Sequence, residues 1–125
     1  MKARDSALRL KRFEAAERSR RVADLEATIR TFEQLVVDLD RQIASEEDRT
    51  GVKDIGHFAY STFAKAAAQR RDNLKTSIAD LKAQLETAVL ARDEAADTLT
   101  KAEAGEGRDN EVTRRRGERG SVMMG

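Results

Sequence analysis

The sequence predicts an all-α protein: a long antiparallel two-helix coiled-coil hairpin with a flexible C-terminal tail. Three observations predict it. Charged residues make up 38% of the 125 residues, aromatics only 4%, and proline is absent. Such a chain cannot fill a wide core, but it can bury a narrow seam between helices rich in Ala, Leu, Glu, Lys and Arg. Two stretches carry a heptad pattern, and a short glycine-bearing interruption separates them.

The first helix is placed at about 6–49. One seam row reads Leu8, Ala15, Val22, Ile29, Val36 and Ile43, spaced by sevens. A second row, three residues later, reads Lys11, Arg18, Leu25, Phe32, Leu39 and Glu46. From Val22 to Ile43 every seam position is apolar, which is a coiled-coil stripe. The connection spans about 50–60, where Gly51 can adopt the left-handed conformation that ends helices.

The second helix is placed at about 61–103, with Ser61 or Thr62 as its N-cap. Its seam reads Tyr60, Ala64, Ala67, Arg71, Leu74, Ile78, Leu81, Leu85, Ala88, Arg92, Ala95, Leu99 and Ala102. The expected large-residue core is therefore Val22, Leu25, Ile29, Phe32, Val36, Leu39, Ile43, Leu74, Ile78, Leu81, Leu85 and Leu99. Residues 1–104 form the hairpin. Five of the seven glycines fall between Gly105 and Gly125, with no apolar periodicity, so 105–125 reads as a flexible Gly/Arg-rich tail.

Charge supports the antiparallel arrangement. Residues 1–21 hold eight Lys/Arg and three Asp/Glu, net +5, and residues 22–50 hold three and eight, net −5. Residues 53–75 hold five and two, net +3, and residues 76–104 hold three and six, net −3. Folding back places opposite blocks side by side, whereas a parallel homodimer would stack like on like. The isolated chain is expected to be a monomeric hairpin. If facing positions total about 105, Lys11 faces Asp93 and Glu94, Arg92 faces Phe13 and Glu14, and Arg71 lies near Glu33.

The same residues argue against chemistry. There is no cysteine, hence no disulfide or thiolate metal site. His57 is the single histidine and has no convergent partner at a useful spacing, so it reads as a solvated or packing histidine. The carboxylates sit at helical spacing among Lys and Arg, as on a solvated face. Neither a glycine-rich phosphate cradle nor a nucleophile–base pair is evident. No catalytic, cofactor-binding or metal-ligating residue is assigned, no cofactor is expected, and the chain is expected not to be an enzyme. A net charge of +1 and the few aromatics also argue against nucleic acid. No apolar run approaches a membrane span, and the first residues lack the apolar stretch of a secretory signal, so a cytoplasmic protein is expected.

What remains is partner binding. Arg9, Lys11 and Arg12 make the N-terminal end basic. Leu10 and Phe13 lie off the seam: they form a docking spot, or a local shift of heptad phase turns them inward. Phe58, Tyr60 and Phe63 cluster at the closed end, where they cap the hairpin or present a binding patch.

Two stretches resemble a known family. Met1-Lys2-Ala3-Arg4-Asp5-Ser6-Ala7-Leu8-Arg9-Leu10-Lys11-Arg12-Phe13 is similar to the start of the flagellar export protein FliJ family. So is Gly56-His57-Phe58-Ala59-Tyr60-Ser61-Thr62-Phe63-Ala64-Lys65-Ala66-Ala67, followed by Gln69-Arg70-Arg71-Asp72-Asn73-Leu74. The resemblance covers roughly residues 1–103. It implies an antiparallel coiled coil of bacterial flagellar type III protein export. The expected partners are the flagellar export ATPase, an export-gate membrane protein and export chaperones, with the open end entering the ATPase ring. It also implies a cytoplasmic protein held peripherally at the export apparatus on the inner membrane. The rival expectation is a generic cytosolic coiled-coil adaptor or tethering protein with an unrelated protein partner.

Overall fold

The computed structural model of the chain describes the backbone of residues 2–124 and the side chains of residues 2–117. It is a hairpin of two α-helices, α1 (Lys2–Thr50) and α2 (Thr62–Met124), with no strand among the described residues. Helix α1 has Asp5 in its first turn and Arg49 in its last, each of the sign that the helix dipole favours. Gly51 ends it. At a φ of 74° this glycine donates its backbone N–H to the Glu47 carbonyl at 2.8 Å, closing the left-handed C-terminal motif. Ser61 starts α2: its hydroxyl accepts from the Ala64 N–H at 3.2 Å, as an N-cap does.

Two compact parts make up the hairpin. In Val22–Thr87, α1 contributes buried Val22, Leu25, Ile29, Leu39 and Ile43, and α2 contributes buried Ala64, Ala67, Ala68 and Ile78. Small side chains on α2 let Leu39 and Ile43 seat against Ala64, Ala67 and Ala68, with Tyr60 and Leu74 packed around them. Phe32, Val36, Leu81 and Leu85 are half-buried, as expected where each helix has one neighbour. The Arg71 guanidinium reaches Asp40 across the seam at 3.1 Å and Asp72 beside it at 3.1 Å, and these carboxylates raise its pKa.

In the other part, Met1–Arg21 with Ala88–Gly125, Leu8 is buried and Ala15, Ala95, Leu99 and Ala102 are half-buried. Arg12 Nε meets Glu103 Oε1 at 3.4 Å, and Arg4 pairs with Asp109. The partner number falls as the α1 number rises, which is the antiparallel order.

Three expectations are corrected. The register is displaced. Helix α1 stops at Thr50 and α2 starts at Thr62, positions that total 112, so the hairpin is centred on Gly56 rather than near residue 52. Arg71 therefore meets Asp40 and not Glu33. Lys11 lines a groove with Ala102, Gly105 and Asp109 instead of facing Asp93 and Glu94, and Arg92 turns to its own neighbour Asp93 at 3.2 Å. The second correction concerns the end of α2, placed near 103 and found at Met124. Each glycine there costs a helix only about 1 kcal/mol, and no proline blocks the hydrogen-bond ladder. The Arg4–Asp109 pair and the Arg115–Glu111 pair at 2.8 Å, one turn apart, add support. Side chains from 118 onward, and Gly125 altogether, lie outside the described residues. The third correction is small: Ala68, left off the seam above, is buried.

Candidate docking surfaces

The N-terminal arm of α1 places the predicted residues on two different faces. Leu8 points into the seam, and Lys11, half-buried, lines the groove beside it. Arg12 is exposed but engaged with Glu103. Leu10 and Phe13 point outward, 56% and 60% exposed, and Arg9 is exposed beside them. This resolves the two readings of Leu10 and Phe13: no phase shift draws them into the seam. Sequence reasoning grouped Arg9, Lys11 and Arg12 as one basic end. The helix instead leaves Arg9 on the outer side with Leu10 and Phe13, and turns Lys11 and Arg12 toward α2.

The connection is a sequence of small hydrogen-bonded turns. The Asp54 carboxylate accepts from the Gly56 N–H at 3.0 Å, the Asp54 carbonyl from the His57 N–H at 3.0 Å, and the His57 carbonyl from the Tyr60 N–H at 3.0 Å. His57 Nδ1 accepts from the Ala59 N–H at 2.9 Å, and its ring stacks on Phe58 at 4.6 Å between centroids. The histidine thus serves as a turn residue, with no cluster of metal-ligating side chains among the described residues.

The three aromatics of this end have separate fates. Tyr60 packs against the Leu39–Ala64 cluster and donates its hydroxyl to Glu47 Oε2 at 3.3 Å. Burial, then the Glu47 carboxylate, raises the phenol pKa. Phe58 stands 96% exposed and Phe63 58% exposed, and Ile55 on the same connection, which sequence reasoning did not single out, is also exposed. Beneath them Glu46 ties the two helix ends together. It takes the Ser61 hydroxyl at 2.8 Å and the Arg49 guanidinium, and the arginine first, then the serine, lowers its pKa to about 2.

A groove of about 350 Å³ runs along the seam of the Val22–Thr87 part, lined by Leu35, Leu39, Leu74, Asp38, Gln42, Arg70 and Asn73. Its charged lining is Asp38 and Arg70. Among the described residues no helix is long and apolar enough to cross a membrane. Comparison with protein-family models, with curated proteins and with solved structures finds no match.

Proposed function

We propose that the chain is a non-enzymatic, FliJ-like component of a bacterial flagellar type III export apparatus. In this reading it works in the cytoplasm, peripherally attached to the apparatus at the inner membrane. It docks with the export ATPase ring and the export-gate membrane protein, and it aids delivery by export chaperones. The observation that carries the reading is the outer face of the N-terminal arm. Exposed Leu10 and Phe13 stand beside Arg9 on the free end of a helical hairpin, within the stretch that resembles the family. Such a face offers apolar area to desolvate and positive charge to steer an acidic partner.

The test is capture of a flagellar export ATPase by the full chain, compared with the triple variant Arg9→Glu, Leu10→Ser, Phe13→Ser. These side chains lie off the seam, so the variant is expected to remain helical and lose capture by at least about tenfold, the equivalent of roughly 1.4 kcal/mol. Reversal of Lys11 or Arg12 is less clean, since both lie toward α2. No capture by the parent chain sinks the proposal. The second reading, an adaptor for an unrelated protein, is favoured by Phe58 at 96% exposure. It would gain if Phe58→Ser abolished partner capture in cells while the triple variant did not.

A further inference from the structure

The outer face of the N-terminal arm has the composition of a membrane-surface helix. At about 100° per residue, Leu10 and Phe13 lie roughly 140–200° from the buried Leu8. Lys2, Arg9, Arg20 and Arg21 project within the same half of the helix, by the same count. Residues 1–21 hold eight Lys/Arg against three Asp/Glu. Lys2 and Arg9 are exposed and make no salt bridge among the described residues. Glu14 and Glu17 share the outer face by the same count; Arg20 pairs with Glu17 at 2.7 Å, and four cations against two carboxylates leave the face net positive.

We propose that this face is a peripheral docking surface for an anionic phospholipid membrane. Cations flanking a pair of outward apolar side chains on a helix are what a headgroup layer of negative charge attracts. The helix is already formed and anchored by Leu8 in the seam, so the side chains need not be gathered on binding. A convex ridge also suits a lipid surface, which requires no complementary groove. Leu10 and Phe13 enter the headgroup–acyl boundary while the arginines stay at the phosphates. Each cation strengthens such binding about fivefold, and the attraction is screened by salt. This inference does not depend on the ATPase reading. The same side chains would serve either occupant, so lipid and ATPase compete for them.

The experiment is sedimentation of the full chain with vesicles of phosphatidylcholine alone or mixed with phosphatidylglycerol. Binding is expected only to the mixed vesicles, and added salt should release the protein. Lys2→Ala with Arg9→Ala is expected to weaken partitioning about 25-fold, two charges at about fivefold each. Leu10→Ser with Phe13→Ser is expected to weaken it at least about threefold, because both side chains lose apolar area that enters the boundary. Both pairs are exposed, so circular dichroism should be unchanged, and Phe58→Ser at the closed end should bind like the parent. Absence of binding overturns the proposal and leaves the face to an acidic protein. Equal binding to both vesicle types, insensitivity to the serine pair, or loss of binding on Phe58→Ser overturns it as well. The vesicles carry no protein, so none of these outcomes bears on ATPase capture.

Discussion

Leu39→Ala probes the seam where it is best packed. Leu39 is 6% exposed and sits among Ile43, Ala64, Ala67 and Ala68, with Leu74 alongside. Removing a buried leucine side chain to the Cβ loses a transfer free energy of about 2–3 kcal/mol. A sealed void would add more, up to roughly 5 kcal/mol in total. Here the groove of about 350 Å³ lined by Leu35, Leu39 and Leu74 opens beside the site, so water can enter and the cavity contribution is small. The expected cost is therefore about 2–3 kcal/mol. Leu35→Ala, one turn earlier at 43% exposure, should cost about 1 kcal/mol or less. Urea denaturation followed by far-ultraviolet circular dichroism gives both values. Equal losses for Leu39 and Leu35, or a Leu39 loss under about 1 kcal/mol, would refute the assignment of the seam, since burial difference is its whole basis.

Two other perturbations follow from the helix ends. Ala at Gly105, where nothing lies within 4 Å of an added Cβ, should raise stability by about 0.5–1 kcal/mol, whereas Ala at Gly51, with φ +74°, should lower it by about 1–2 kcal/mol. Thermal melts of the two variants shifting in the same direction would contradict one of these backbone assignments. Glu46 supplies a pH dependence. Its folded pKa, about 2, lies below the ordinary 4.5, so its contribution is complete above about pH 4.5 and fades as pH falls toward 2. The stability difference between the parent and Glu46→Gln should shrink over that window. A difference that stays constant from neutral pH to pH 2 would show that the carboxylate is not held by Arg49 and Ser61.

Much of the hairpin is legible in the sequence because a heptad depends only on local spacing. Every large residue predicted for the core, from Val22 to Leu99, is buried or half-buried. So is each second-helix seam position from Tyr60 to Ala102, including Arg71 and Arg92. The block charges are equally robust, since shifting a block of twenty-odd residues by a few positions changes little. Individual pairs have no such tolerance. Setting the facing total at 105 instead of 112 moves every facing partner by about two helical turns. That is why Arg71 was matched to Glu33 and not to Asp40, the carboxylate it reaches at 3.1 Å. A connection at about 50–60 with Ser61 capping α2 implies a total near 110, close to the 112 observed, and the total of 105 departs from it.

The candidate surfaces were legible as places but not as side-chain directions, and the reason is the same at both ends of the chain. A run such as Arg9-Leu10-Lys11-Arg12-Phe13 turns about 400° around the helix axis between its first and last residue. Arg9, Lys11 and Arg12 therefore do not all share one face. One of them, Lys11, is drawn into the seam groove, and Arg12 is neutralised by Glu103. In Phe58-Ala59-Tyr60-Ser61-Thr62-Phe63 the backbone leaves a turn and enters a helix, so no single period applies. Tyr60 goes inward because its hydroxyl has Glu47 to meet and its ring has the Leu39–Ala64 cluster to cover. Phe58 has neither, and the turn bonded through His57 Nδ1 holds it out in solvent. A large apolar side chain held outward by a turn with its hydrogen bonds already made gains nothing from folding.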